Sequence, residues 1–290
     1  MNGSGRKAVK ITEEKLERLK RMFDGKDGVS QRLAARKFGV SQQYISLLLH
    51  SKTNIKCRKK MRIPHRTESQ IERIKPIYRK LHSAFAKVDW ILDDECYFTL
   101  GNTVLSGFDN FYTSDITSTP TNVKYAPKQK FEPKVLVWVA LSPKGMTKCF
   151  VARAPLAINS EVYIKQCLKK ILLPFIEEKY PEGNYIFWPD LASAHYSKET
   201  QEFYKQNEIN YIAKENNPPS VPECRSIGYF LAIIKREVYK NGYKAKTFPI
   251  LIRRIKSCMK NVDEKLIIEL AESTSKRIQL VARNDVRERR

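Results

Sequence analysis

VDWILDDECYFTL, residues 88–100, is the stretch on which the fold of this 290-residue chain turns. It is a strand-like apolar run that ends in acids. Alternation with a period of two puts Trp90, Leu92, Asp94 and Cys96 on one face, and Ile91, Asp93 and Glu95 on the other. Asp93 and Asp94 therefore cannot both point at one metal ion. A second stretch, YIFWPD (185–190), reads as a short buried strand that also ends in an acid, Asp190. If the two strands are neighbours, Asp94 and Asp190 emerge at one end of a sheet. A divalent cation could sit there, because hard cations want oxygen ligands. The plainer reading is that both are solvated strand-end acids.

Outward from these strands the pattern is mixed. VLVWVALSPKGMTKCFVA (135–152) predicts a hairpin, with strands over 135–141 and 146–152 joined by a turn over 142–145. SEVYIKQCLKKILLPFIEEKY (160–180) predicts a long amphipathic helix with Ser160 as its cap. SKETQEFYKQN (197–207) reads as a helix and INYIA (209–213) as a strand. The segment from residue 218 enters a further helix, with Pro222 suited to its first turn. Residues 247–282 give one or two more amphipathic helices. This order predicts an α/β domain with a mixed sheet.

The amino-terminal quarter is different. Residues 11–24 predict a helix capped by Thr12, a second runs from Ser30 to Lys37, and a third from Ser41 to about His50. Gly39 supplies the tight turn between the last two. Ala35, Gly39 and Ile45 have the offsets of a helix-turn-helix; the alternative is an ordinary helical hairpin. In a DNA-binding reading the start of the last helix enters the major groove, and Ser41, Gln42, Gln43, Tyr44 and Ser46 face bases or phosphates. KTNIKCRKKMRIPHR (52–66) is a basic linker whose Lys56, Arg58, Lys59, Lys60, Arg62 and Arg66 would neutralise phosphates. Such a run also serves as a solvated linker or a nuclear-import signal. Residues 67–83 read as a bridging helix with a break near Pro76. The domains expected are a helix-turn-helix at 1–51, a linker and bridge at 52–87, and the α/β domain at 88–290.

Composition narrows the function. The formal net charge is +23, from 54 Lys+Arg against 31 Asp+Glu, which points to a polyanion partner such as nucleic acid. Residues 1–80 hold 22 Lys/Arg and 7 Asp/Glu, so +15 of the excess sits around the helix-turn-helix. A hydrophobic fraction of 42% is enough for a core and excludes wholesale disorder. No run of about 18 apolar residues and no apolar signal core is present, so the expectation is a soluble intracellular protein with no membrane partner. The six cysteines form no C-x-x-C pair and the four histidines are scattered, which speaks against zinc and for reduced thiols.

LDDECYFTL, WPDLASAH and NPPSVPECRSI, in that order behind a helix-turn-helix and a basic linker, resemble mariner-type DDE transposases from about Ser30 to the C-terminus. The resemblance implies an RNase-H-like catalytic domain, three acids holding two Mg²⁺ or Mn²⁺ ions, and in-line displacement on transposon-end DNA. It implies duplex DNA with transposon terminal repeats as partner, a homodimer on paired ends, and a nuclear location. Asp94 matches the first catalytic and metal-binding acid, Asp190 the second, and His195 the histidine that follows it. The third acid follows an Arg-Pro-Ile motif; here Arg225, Ser226 and Ile227 are followed by Gly228, after 37 intervening residues from Asp190. Glycine offers no ligand atom, so impaired strand cleavage is expected. The alternatives are an active enzyme that recruits another acid such as Glu223, or a non-enzymatic basic nucleic-acid-binding protein. Glu237, nine residues on, would lie on the opposite helix face, about 13 Å along the axis. The family usually carries two helix-turn-helix units; residues 11–24 are either a remnant of the other or the first helix of a three-helix unit.

Overall fold

The computed structural model describes residues 11–26, 28–58, 65–100, 113–125, 132–153, 158–218 and 221–283. The chain divides into two units, Met1–Ile63 and Pro64–Arg290.

In the first unit, three side-chain caps set where the helices start. Thr12, Ser30 and Ser41 accept the backbone N–H of Lys15, Leu33 and Tyr44 and open α1 (Glu13–Phe23), α2 (Gln31–Phe38) and α3 (Gln42–Ser51). Each such cap contributes about 1 kcal/mol. Gly39 turns the chain between α2 and α3 with φ 67°, a conformation a side chain would strain. Leu19 of α1, Ala34 and Ala35 of α2, and Ile45, Leu48 and Leu49 of α3 share one buried core. So α1 is the first helix of a three-helix unit.

The second unit begins with α4 (Glu68–Phe85), opened by a capping box of Thr67 and Gln70. The expected break at Pro76 does not occur. Pro76 is exposed, so the Glu72 carbonyl that loses its helical partner is left to solvent. The expected bridge is also more than a bridge, because Ile74, Tyr78 and Leu81 enter the main core.

The sheet has the order β3-β2-β1-β5, with β4 also beside β2. Its strands are β1 (Asp89–Thr99), β2 (Lys134–Ser142), β3 (Gly145–Met146), β4 (Phe150–Arg153) and β5 (Tyr185–Trp188). β1 runs antiparallel to β2 and parallel to β5, which makes the sheet mixed. One face (Trp90, Leu92, Val137, Val139) packs against α4 and the helices Ile227–Val238, Phe248–Lys260 and Glu264–Arg283. The other face (Ile91, Trp138, Ala140, Phe187) packs against Tyr163, Cys167, Leu168 and Leu172.

Four local expectations need correcting. The second arm of the hairpin is split, because register slips by one residue between Leu141↔Met146 and Trp138↔Phe150. Thr147 fills this bulge: its hydroxyl accepts Ala140 N–H at 2.9 Å, in place of a backbone carbonyl. The helix after residue 159 is capped by Asn159, not Ser160, and winds as a π-helix over Tyr163–Leu172 before its last turns, Leu173–Lys179. INYIA makes a single bridge, Phe187↔Tyr211, and ends in the Lys214–Asn216 turn. Pro222 belongs to the short turn Pro222–Cys224, and the helix starts only at Ile227.

Candidate active site

Strand register creates the site. Leu92 of β1 pairs with Trp188 of β5 in parallel, so Asp94 and Asp190, each two residues further on, stand at about one level, but the first strand does not end at its acids as expected: Asp190 lies past the end of β5, whereas Asp94 is in mid-strand, opposite Val139 of β2, and β1 runs on to Thr99. Pro189 has no N–H and ends the ladder between Trp188 and Asp190.

Asp94 is largely buried, and that burial lifts its carboxyl to about 6, against the opposing pull of the Glu95 N–H and of Arg225. Asp190 accepts the Ala192 N–H at 2.8 Å and lies 2.5 Å from Nδ1 of His195. Burial pushes Asp190 upward, but hydrogen bonding to His195 and the charge of that ring outweigh it and the net shift is down. His195 is itself fully buried, with its ring stacked on Tyr163 at 4.0 Å and Nε2 3.5 Å from Glu95. Burial alone pulls its pKa down; the carboxylates of Asp93, Asp190 and Glu95 prevail and raise it to about 10, so His195 is a cation at neutral pH.

Asp93 follows the alternation and points the other way. Its buried carboxylate accepts Nε1 of Trp138 at 3.1 Å and the Tyr163 hydroxyl at 2.6 Å, so it serves the core. Arg225 ties the end of β5 to the middle of β1. Its guanidinium donates to the carbonyls of Trp188 (2.9 Å), Pro189 (3.1 Å) and Asp93 (2.5 Å), and lies 3.6 Å from the Asp93 carboxylate. Sequence reasoning used Arg225 only as part of a motif and missed this positioning role.

Gly228 is the second residue of the Ile227–Val238 helix and is exposed. A Cβ added there would meet nothing within 4 Å. Glu223, the suggested substitute acid, and Glu237 both have cationic partners of their own. Glu223 is held 2.7 Å from Nη2 of Arg66, with 3% of the Arg66 and 10% of the Glu223 side chain exposed. This also corrects the reading of Arg66 as a phosphate contact, since its charge is buried against Glu223. Glu237 sits at the far end of the helix, near Lys240 and Arg236. Among the described residues no group of three His, Cys, Asp or Glu is arranged to hold a metal ion. The donor set of two carboxylates does not fit a pair of divalent ions.

The other site residues lie in the first unit. Gln42, Gln43 and Ser46 are exposed on α3, Ser41 is exposed with its oxygen capping the helix, and Tyr44 is half-buried against the core. Lys56 and Arg58 are exposed, while Lys59, Lys60 and Arg62 lie outside the described residues.

The buried Asp94 has a measurable cost. An acid with a raised folded pKa loses stability as pH climbs from its unfolded value near 3.8 to about 6, and the full penalty stands above that. Asp94→Asn is therefore expected to be more stable than the parent by about 1–3 kcal/mol at pH 7.5, with the gap closing near pH 4. Urea melts in chelator at the two pH values check this; an equal gap at both would refute it.

No protein-family model matches the chain, and no curated protein matches it. Solved structures do. The chain superimposes on the Mos1 transposase paired-end complex with left transposon end at TM-score 0.70 and 17% identity, over 100% of this chain and 82% of that one. The Mos1 mariner paired end complex with Mn gives 0.71 and 17%, over the same shares. The isolated catalytic domain of Mos1 mariner transposase gives 0.56 and 13%, over 79% of this chain and 99% of that domain. Along its whole length, helical first unit and mixed-sheet second unit alike, the chain has the fold of the mariner transposase Mos1.

Proposed function

We propose that this protein is a transposon-derived, DNA-binding member of the mariner-type transposases that has lost most of its ability to cut DNA. Exposed polar residues at the start of α3 read the major groove of a terminal repeat, and Lys56 and Arg58 hold the adjacent phosphates. The protein works on duplex DNA in the nucleus, as a homodimer that brings two ends together. The solved Mos1 complexes with paired transposon ends support the choice of partner. The observation that carries the reading is the contrast at the sheet end. Asp94 and Asp190 are kept in register, while the helix that should bring the third carboxylate presents Gly228 to open space. Mg²⁺ or Mn²⁺ would supply charge neutralisation there; Mos1 paired end complexes are described with Mn and with Mg. The side chains of this chain offer too few oxygens for two such ions, so no cleavage step is assigned to them.

The test is a nicking assay on duplex carrying the protein's own terminal repeat, with Mg²⁺ or Mn²⁺. The protein is expected to bind that duplex and to nick it no faster than Asp94→Asn. Nicking well above that level, abolished by Glu223→Ala, would overturn the reading. In the same assay Gln42→Ala/Gln43→Ala is expected to lower preference for the repeat over random duplex about tenfold or more, since a bidentate base contact contributes about 1–3 kcal/mol.

A further inference from the structure

The charge of the second unit is not spread evenly. Residues 81–290 carry an excess of +8, and residues 235–260 hold nine Lys/Arg against one acid, Glu237, which accounts for all of it. Outside that stretch the region is neutral. The structure resolves the stretch into the end of the Ile227–Val238 helix, a connection, and the Phe248–Lys260 helix.

On the Phe248–Lys260 helix, Leu251, Ile255 and Met259 are buried in the main core. Arg253, Lys256 and Lys260 are exposed. Their spacing of three and seven residues puts them within about 60° of one another, about 4.5 and 10.5 Å along the axis. Among the described residues none of the three is in an ion pair. Of the neighbouring acids, Glu237 is engaged with Lys240 and Arg236 and Asp263 accepts the Lys265 N–H at the start of the next helix, while exposed Glu264 forms no ion pair with the stripe among the described residues. Lys244 and Lys246 are exposed on the connection just before the helix. A row of unpaired cations over a rigid, core-anchored helix matches a row of phosphates, because each contact releases a condensed counterion.

We propose that the exposed stripe Arg253, Lys256 and Lys260 is a second duplex-DNA backbone contact, separate from the helix-turn-helix and independent of sequence. It rests on the proposed reading that the partner is duplex DNA. It gives the second unit its own hold on the polymer, without metal chemistry.

The test compares the salt dependence of duplex-DNA binding for the full chain, for Arg253→Gln/Lys256→Gln/Lys260→Gln, and for Lys165→Gln/Lys169→Gln/Lys170→Gln. The last is a set of exposed lysines with the same charge loss. The stripe variant is expected to lower the slope of log K against log salt by about 2.7, while the control set changes it by less than about 0.5. An unchanged slope in the stripe variant, or equal loss in both variants, overturns the proposal. Sequence preference is read separately, by competition with random duplex. A slope change without any preference sinks the terminal-repeat reading and leaves the stripe standing; preference with an unaltered slope does the reverse. All five exchanged helix positions other than Arg253 being lysines on solvent-facing surfaces, folding is checked by thermal melting, and each variant should melt within about 2 °C of the parent.

Discussion

Gly228→Glu is expected to raise metal-dependent nicking of duplex DNA by about 100-fold or more, because an extra ion-holding carboxylate is worth several kcal/mol in such a transition state. The backbone is ready for the change. Gly228 carries no positive φ, and nothing lies within 4 Å of the added Cβ. Glutamate in place of glycine gains up to about 1 kcal/mol of helix propensity. A negative charge in the first turn gains about 0.3–1 kcal/mol more from the helix dipole. Repulsion from Asp94 and Asp190 opposes this in chelator, so the gain should emerge when Mn²⁺ is added. The measurements are nicking rate and the Mn²⁺-induced rise in melting temperature. Gly228→Gln is the control of equal shape, and if it does as well as glutamate, the missing charge is not what limits cleavage.

Arg225→Ala should produce the largest loss of stability. It removes three hydrogen bonds to the carbonyls of Trp188, Pro189 and Asp93 and the guanidinium beside the fully buried Asp93. Stripping one member from a buried charged pair costs about 3–5 kcal/mol, which for a unit of this size lowers the melting temperature by about 10 °C. Arg225→Lys should recover only part of this, since an ammonium cannot fork across two strands. Arg236→Ala, at an exposed ion pair, should change stability by less than about 0.5 kcal/mol. A melt of Arg225→Ala within about 2 °C of the parent would show that β1 and β5 hold their ends without it.

What the sequence made legible was local or periodic. The alternation around Asp94 assigned its face and sent Asp93 to the other, as the buried partners of Asp93 bear out. The caps Thr12, Ser30 and Ser41 and the turn at Gly39 also follow from neighbours a few residues away. What stayed hidden depends on residues far apart in the chain. Arg66 and Glu223 are 157 positions apart, and no pattern joins them. Thr147 makes sense only once Ala140 lies across from it. Pro76 shows a local rule overridden, because solvent on its side of α4 accommodates the freed carbonyl while Ile74 and Tyr78 hold the helix to the core.

The empty space around Gly228 also has a genetic meaning. Every glycine codon becomes a codon for aspartate or glutamate by one transition at its middle base. No neighbouring atom stands in the way of the resulting side chain. The fold leaves position 228 open. A single nucleotide, and no repacking, separates this chain from one that carries a carboxylate at position 228. Individuals or related copies with that one base changed are therefore natural experiments on the proposed loss of cutting.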